Sequence, residues 1–504
     1  MAYRDAAAAV HPGTAPSRAE VLAAWLTSGG DERIALDPRS GLNRYGCGPA
    51  PDGCDAAFGS STASVISAEA YEAVGRRLDR LLGDPSVQGD DRSAYRAEAQ
   101  QIRHQLAVLC GLPAAMAENI VLAASGTDLH LIAADLARGA GVAPLVTVMA
   151  DPRESGRGVA HAVRGLRYAG CSPHGGACAE GEPAPGAIAG DLMAVPVREP
   201  DGAPRPAHAV DADFERACLA ATRRGGPVLA VLLDVSKTGL IAPTPACALR
   251  LKRRLGERLT VLVDACQFRL GVQSLARYLE HGFLVALTGS KFLGGPAFAG
   301  ALIVPECAAR RLRRAPLAPW LGDYSGRDDW PAGFVGRGVL PDLPNLGLAL
   351  RWRAALTELS AFRSLPEAEA ADALTGLAEV IQTRLDLHPR FERLGAPGPR
   401  RFGRPGWDGV STIFPFLVRH DGRVLDAART QALYERLRSG PQPVRLGQPV
   451  AVGVRDGEPI AALRLSISAR QLVQALSADG GRRALAQRAL DVLDLVARRA
   501  AEVG

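Results

Sequence analysis

Short, mainly apolar segments alternate with helical patterns through the middle of the chain. Segments of this kind are typical of strands with both faces covered. Five of them predict strands, at Ile120–Ala124, Leu145–Met149, Val228–Leu233, Leu259–Val263 and Phe283–Leu287. The helical pattern from Asp128 to Arg138 illustrates what lies between them. Alternating buried strands and helices predict an α/β domain with a mainly parallel central sheet flanked by helices.

The two ends of the chain differ from the middle in composition and in the pattern of predicted elements. Residues 1–57 are rich in Ala, Gly and Pro, with one helix expected around Ser17–Leu26, and we interpret them as an N-terminal arm. The large domain then covers 58–345, interrupted at 171–208 by a Gly/Pro-rich insertion or surface loop. From residue 346 to 504 a long helix and several helix–strand segments predict a smaller C-terminal α+β domain.

Composition narrows the class of protein. The 504 residues are 47% hydrophobic and 22% charged, with a net charge of +6 from interspersed charges, which does not favour nucleic-acid binding. No apolar run is long enough for a membrane span, and the start resembles no targeting signal. Nine scattered cysteines without a Cys-x-x-Cys pair predict neither a metal site nor a disulfide framework, so a cytoplasmic location is expected.

Lysine is so rare that each one needs an explanation. Lys and Arg together number 59, yet the only lysines are Lys237, Lys252 and Lys291. Lys252 lies in a charged helical pattern and is expected in solvent. Lys291 lies between an apolar strand and a Gly-rich turn, where burial would lower its pKa and make it an amine nucleophile for an aldehyde. Lys237 is its rival.

Two other loops follow predicted strands and have complementary chemistry. Ser125, Gly126 and Thr127 open a helix, where free N–H groups bind phosphate, although an ordinary N-cap explains them too. Asp264 ends a strand and suits a pyridinium N–H, or equally a helix cap. The carboxyl ends of parallel strands line one crevice, so these loops and Lys291 should converge. Phosphate site, carboxylate and Schiff-base lysine together are what pyridoxal 5′-phosphate (PLP) requires.

Longer motifs carry a family resemblance. Asp264-Ala-Cys-Gln267, the turn Thr238-Gly239 and the segment Gly294–Pro305 are similar to motifs of fold-type I PLP enzymes, in the class V aminotransferase and cysteine desulfurase group. The resemblance runs from about Phe58 to Arg470. It implies a PLP-dependent transferase fold and a homodimer, and it places Lys237 on the turn against the cofactor ring.

The same resemblance implies roles for further residues. Gln267 would bind the phenolic oxygen of the cofactor, Thr288 and Ser290 its phosphate, and Arg464 the α-carboxylate of the substrate. Ala63 and Ser64 belong to a segment that lines the substrate site. The sequence departs from the group's pattern at several positions, including Val339, where the desulfurases have a Thr that binds the phosphate of the neighbouring subunit. Ser236 replaces an Asn, and the ring-stacking His is missing, which leaves Glu154 or Ser155 near the ring.

These observations predict a PLP enzyme acting at the α-carbon of a small amino acid, either an aminotransferase or a desulfurase-like lyase without the catalytic cysteine. The mobile-loop cysteine of the desulfurases is missing, because the last cysteine, Cys307, comes too early and is expected in the core. Cys266 is expected to face away from Gln267. The alternatives are a non-catalytic PLP-binding regulator, or a true cysteine desulfurase using Cys47 or Cys54 of the arm. Fold alone does not decide between these.

Overall fold

The structure is a computed structural model that describes residues 17–83, 90–139, 143–395, 401–403, 406–440 and 443–503. Residues 1–16 of the expected arm lie outside these ranges. Within them, no helix combines the length and the apolar character that crossing a membrane requires.

Strands and helices are numbered in chain order. The strands are β1 (Ala57–Phe58), β2 (Ile120–Ala123), β3 (Val146–Ala150), β4 (Asp191–Val195), β5 (Val228–Asp234), β6 (Ile241–Ala242), β7 (Leu259–Ala265), β8 (Leu284–Thr288), β9 (Gly300–Ile303), β10 (Phe391–Arg393), β11 (Ile413–His420), β12 (Arg423–Val424), β13 (Arg445–Arg455) and β14 (Glu458–Ser466). The helices are α1 (Arg18–Leu26), α2 (Ala68–Gly83), α3 (Asp91–Leu109), α4 (Gly126–Arg138), α5 (Val159–Ala162), α6 (Ala207–Thr222), α7 (Pro245–Leu255), α8 (Val272–Glu280), α9 (Glu306–Leu312), α10 (Leu346–Arg363), α11 (Glu367–Leu387), α12 (Ala427–Ser439), α13 (Ala469–Ser477) and α14 (Gly481–Ala500).

The large sheet has the strand order β2-β9-β8-β7-β5-β3-β4, with β6 paired to β5. Neighbouring strands from β8 to β4 are parallel, whereas β9 runs antiparallel to both β2 and β8. Every residue of β5 is buried, as its apolar sequence predicts for a strand covered on both faces. The predicted α/β class with a mainly parallel central sheet is confirmed.

A second sheet forms most of the C-terminal part, in the order β1-β13-β14-β11-β10 with β12 paired to β11. Its pairs are antiparallel except that β1 joins β13 in parallel. Arg464 lies on β14 opposite Gly447 of β13. The residues that follow β1 connect the two sheets: Gly59 pairs with Ser466 of β14, and the Ser64 N–H donates to the carbonyl oxygen of Ser290 at 3.1 Å.

The arm is held against the body of the same chain. The buried Arg351 of α10 donates hydrogen bonds to the carbonyl oxygens of Leu26 (3.3 Å) and Ser28 (2.5 Å). Asn345, the N-cap of α10, donates to the carbonyl oxygen of Gly29 at 2.9 Å. Beyond these contacts, Ile34 packs into a small apolar cluster with Phe298. The arm therefore continues over the edge of the large domain.

The segment 171–208 is only partly the loop that its composition suggests. It contains β4, which pairs in parallel with β3 and forms the edge of the large sheet. The remainder runs without a long regular element, and Glu32 of the arm accepts backbone hydrogen bonds from Gly170 (3.0 Å) and Cys171 (3.2 Å) at its start. Arm and insertion are thus in direct contact.

Candidate active site

A cavity of about 600 Å³ lies where the large sheet, the C-terminal sheet and the arm meet. Most residues that the sequence nominates line it, namely Ala63, Ser125, Gly126, Thr127, Glu154, Asp264, Gln267, Thr288, Ser290, Lys291 and Arg464. Ser64 and Ser236 do not line it. The loops after β2, β7 and β8 converge because parallel strands end at one edge of the sheet.

Lys291 follows β8 and is half-buried in the cavity wall. Gly289, two residues earlier, packs so closely on α10 that a Cβ would lie 2.4 Å from the Cβ of Ala355. On the other side, the Ser64 hydroxyl donates to the carbonyl oxygen of Lys291 at 3.1 Å. In this structure the Ser64 hydroxyl therefore binds the Lys291 backbone, and Ser64 does not line the cavity.

Lys237, the rival lysine, lines the same cavity. Burial, with the nearby positive charges of Arg464 and Lys291, lowers the pKa of Lys237 to about 8. Its Nζ lies 3.4 Å from the carbonyl oxygen of Arg153. Two amines thus face the cavity, and geometry alone does not remove Lys237 as a nucleophile.

Asp264 is held as a carboxylate at the floor of the cavity. Its Oδ1 accepts a hydrogen bond from the backbone N–H of Cys266 at 3.1 Å, and its Oδ2 lies 3.2 Å from Nε2 of His130. Burial opposes ionisation, but the contacts with His130, the charge of Lys291 and the hydrogen bond from Cys266 together outweigh it and depress the pKa of Asp264 below its usual range. A permanent carboxylate at this position suits a cationic ring nitrogen.

His130, on the first turns of α4, is a functional residue that sequence reasoning missed. Its Nδ1 lies 2.7 Å from the carbonyl oxygen of Gly126, so both ring nitrogens face acceptors. Burial lowers the pKa of His130, yet the Asp264 carboxylate raises it to a net value above the ordinary range. The Nε2 contact is not aligned as a hydrogen bond, so it is chiefly a buried ion pair. A His four residues after Gly126, on the sheet-facing side of a helix, was the available signal.

The structure shows one of the two roles that the sequence left open for the Ser125–Thr127 loop, that of a helix N-cap. The Ser125 hydroxyl caps α4, accepting from the N–H groups of Thr127 (3.2 Å) and Asp128 (3.3 Å). Gly126 has no room for a side chain, because a Cβ would lie 2.9 Å from Sγ of Cys266. Thr288 donates its hydroxyl to the carbonyl oxygen of Cys266 at 2.5 Å and is not a free donor.

Glu154 lines the cavity through a buried polar network. It accepts hydrogen bonds from Arg198 Nε (2.7 Å), the Ser236 hydroxyl (2.7 Å) and the Thr238 hydroxyl (2.6 Å). Burial raises the pKa of Glu154, but Arg198 and these donors outweigh it and lower the net value. Ser236, expected at the cofactor, does not line the cavity in this structure and instead positions Glu154. Arg198, in the insertion, had no sequence signal.

Arg464 is a buried cation surrounded by neutral oxygen atoms. Among the described residues its acceptors include the carbonyl oxygens of Gln448 (2.6 Å) and Lys237 (3.2 Å) and the hydroxyl of Thr62 (2.9 Å). Burial lowers the pKa of Arg464 to about 10. Since no carboxylate is among these acceptors, the guanidinium attracts an anion that enters the cavity.

All nine cysteines lie in the described residues, and Cys266 is the one that lines the cavity. The expectation that Cys266 faces away is wrong, because β7 ends at Ala265 and the alternation of an extended strand stops there. Burial raises the pKa of the Cys266 thiol well above its ordinary value. The expectation that Cys307 lies in the core is also wrong, since it is exposed. Cys47 is buried and Cys54 half-buried, both away from the cavity.

The arm contributes a wall that sequence reasoning did not foresee. Glu32, Arg33, Arg44 and Tyr45 line the cavity from the N-terminal side. Arg33 reaches the Ser125–Thr127 loop, with Nη1 3.2 Å from the Thr127 hydroxyl and Nη2 3.4 Å from the Ser125 hydroxyl. The arm was identified as a segment, but these contacts depend on docking against α10, which no local pattern reveals.

No protein-family model matches the sequence, and no curated protein is similar to it in sequence. Solved structures are similar in fold. The cystine C–S lyase C-DES in complex with cysteine persulfide superposes with a TM-score of 0.51 and 15% identity, covering 86% of this chain and 97% of that one. This chain has the architecture of fold-type I PLP enzymes. Oryza sativa TDC with PLP and tryptamine gives a TM-score of 0.53 and 16% identity, with 88% and 82% covered. The Escherichia coli cysteine desulfurase CsdA gives 0.50 and 16%, with 87% and 95% covered. The fold expected from the resemblance is confirmed.

Proposed function

We propose that this protein is a PLP-dependent enzyme that acts at the α-carbon of a small amino acid. The observation that carries the proposal is the convergence, in one cavity, of Lys291, an ionised Asp264 and the Ser125–Thr127 loop. Each feature has another explanation alone. Their meeting at the carboxyl edge of a parallel sheet supplies the amine, the carboxylate and the phosphate site that PLP needs together.

The described residues fit this cofactor on two further counts. Gln267 donates through Nε2 to the carbonyl oxygen of Ser61 at 2.9 Å, while its buried Oε1 has no partner among the described residues. A buried polar atom without a partner points to a bound molecule or water. The N-terminus of α4 at Gly126, the positive end of the helix dipole, also lines the cavity, where it would attract a phosphate.

Bound here, PLP would supply an electron sink for a bond broken at the α-carbon. Lys291 is the amine that would hold the cofactor covalently and, once displaced by substrate, move a proton at the α-carbon. Asp264 would keep the ring nitrogen protonated. Arg464 would bind the substrate carboxylate, and its burial keeps water from competing for the contact.

The reaction class that the geometry supports is aminotransfer or C–S/β-elimination without a protein thiolate. Cys266 is protonated at neutral pH because burial raises its pKa well above the ordinary value, and a thiol is a far weaker nucleophile than a thiolate. The arm cysteines of the alternative desulfurase mechanism lie away from the cavity. Product analysis separates the two classes. A lyase releases ammonia without an acceptor, whereas an aminotransferase needs a keto acid to receive the amino group.

Covalent labelling tests the proposal. Protein incubated with PLP and reduced with borohydride should carry the cofactor's mass on the peptide that contains Lys291. Lys291→Ala should abolish this label, while the matched variant Lys252→Ala, on the outer helix α7, should keep it. Label on the Lys237 peptide would reassign the nucleophile, and failure to bind PLP at all would end the proposal.

A further inference from the structure

We propose that Arg33 of the N-terminal arm binds the phosphate of the cofactor, so that the chain completes its own phosphate site. This inference rests on the proposed function and adds to it a residue outside the motifs that support PLP binding. Its basis is the position of Arg33 against the Ser125–Thr127 loop, together with the way the arm and neighbouring side chains hold the guanidinium there.

The Arg33 guanidinium is fixed before any ligand binds. Asp31 accepts from Nε at 2.8 Å and from Nη2 at 2.5 Å, and the Asp31 side chain is fully buried. The guanidinium carbon lies 5.2 Å from the ring centre of Phe298 and 5.6 Å from that of Tyr168. A planar cation held by a carboxylate and stacked on aromatic rings has few orientations available.

The fixed orientation directs the guanidinium towards the Ser125–Thr127 loop. Nη1, which Asp31 does not bind, lies 3.2 Å from Oγ1 of Thr127, and Nη2 reaches Oγ of Ser125 at 3.4 Å. Thr127 lies in the first turn of α4, at the positive end of the helix dipole. An anion seated on this loop would therefore be within reach of both the loop and the guanidinium.

The buried carboxyl groups beside the loop make a cation there favourable for anion binding. Asp128 is buried directly behind the loop, where it accepts from the Ser125 hydroxyl at 2.5 Å, and Asp31 is buried beside it. A dianionic phosphate placed near these two carboxyl groups would be repelled without a positive charge in contact. Among the arm residues that line the cavity, Arg33 is the cation that contacts the Ser125–Thr127 loop, whereas Arg44 is exposed to solvent.

Comparison of PLP with pyridoxal, which lacks the phosphate, isolates this contact. Both aldehydes react with the same lysine, so the ratio of their dissociation constants reports the phosphate site. Arg33→Gln should weaken PLP binding by about 10- to 100-fold, the range for a charge-assisted contact, and leave pyridoxal binding nearly unchanged. Titration of the visible absorption of the bound cofactor measures both constants.

Two further variants keep the result interpretable. Arg33→Met retains the apolar stem against Phe298 and carries the same expectation if Arg33→Gln does not fold. Arg39→Gln changes an exposed arginine of the same arm outside the cavity and should leave the ratio as in wild type.

The outcomes separate the two proposals. An unchanged ratio in both Arg33 variants, or an equal loss for both aldehydes, would overturn the phosphate role and leave Arg33 a residue that only docks the arm. If wild-type protein binds neither aldehyde, the proposed function fails and this inference fails with it. A selective loss of PLP affinity supports both.

Discussion

The buried pair of His130 and Asp264 predicts a specific dependence of stability on pH. In the protein free of PLP, His130→Phe keeps a ring of similar size in the buried site and removes its charge. The Nε2–Oδ2 separation is 3.2 Å. At an effective dielectric constant of ~20 this corresponds to about 5 kcal/mol of attraction. Removing one partner of a buried pair costs ~3–5 kcal/mol, and Asp264 keeps its bond from the Cys266 N–H. We therefore expect His130→Phe to lower the free energy of unfolding by an amount near the lower end of this range, about 3 kcal/mol.

The sign of the pH effect follows from the two shifts. The pKa of His130 is raised on folding, so its contribution is complete below the unfolded value of about 6.5 and is lost as pH rises through the folded value. The pKa of Asp264 is lowered, so its contribution is complete above about 3.9 and is lost only as pH falls through the folded value. The stability difference between wild type and variant should be greatest from about pH 4 to about pH 6.5 and should shrink above that window.

Urea unfolding at a series of pH values measures this difference. The lost contact of Nδ1 with the Gly126 carbonyl oxygen adds a part that does not vary with pH, so the shape of the difference carries the test. A double-mutant cycle with Asp264→Asn is the control, because the effect of His130→Phe should fall sharply when the carboxylate is gone. A difference that stays constant from about pH 5 to about pH 9 would show that His130 is neutral and refute the ion pair.

Four further outcomes are expected. Asp264→Asn should lower turnover by roughly 100-fold or more, measured as kcat on the substrate found by screening, because the ring nitrogen loses its ionic partner. Arg464→Lys should raise KM by more than it lowers kcat, since a carboxylate contact acts in the ground and transition states alike; equal use of amines lacking a carboxylate would contradict this. Thiol alkylation should leave turnover largely intact because Cys266 is buried; a stoichiometric protein persulfide formed from cysteine would reverse that view. Light scattering should give a homodimer, since Val335 and Val339 expose apolar side chains on one segment, and a fully active monomer would argue against it.

The central part of the site could be predicted because it depends on local patterns. Apolar segments identify the strands, and the parallel topology then brings their carboxyl ends to one edge whatever the details of packing. Lys291 and Asp264 each lie at or just after a strand end, so they needed no further information to be placed in the same cavity. The Ser125 loop was ambiguous for a physical reason. Its hydroxyl caps the helix, so the Ser125 side chain alone does not indicate whether the loop also binds a phosphate.

Side-chain direction was the part that sequence could not supply. Cys266 comes directly after the last residue of β7, Ala265, so the alternation of an extended strand does not determine the side on which its thiol lies. His130 approaches Asp264 only because α4 begins at Gly126 and turns that face towards the sheet. Ser64 and Ser236 have the right position along the chain but donate to a backbone oxygen and to Glu154 respectively. A serine hydroxyl has several acceptors within reach, and the sequence pattern does not show which of them it binds.

The arm and the insertion show why the rest of the site is out of reach of pattern. Arg33 lines the cavity on an arm that Arg351, over 300 residues away in sequence, holds through the carbonyl oxygens of Leu26 and Ser28. Arg198 of the insertion pairs with Glu154, which lines the cavity. Both contacts join segments of low regularity to a regular framework through single charged side chains. Such contacts leave no periodic pattern in the sequence, so sequence analysis does not detect them. Changes in the arm should therefore alter ligand affinity more than they alter the fold.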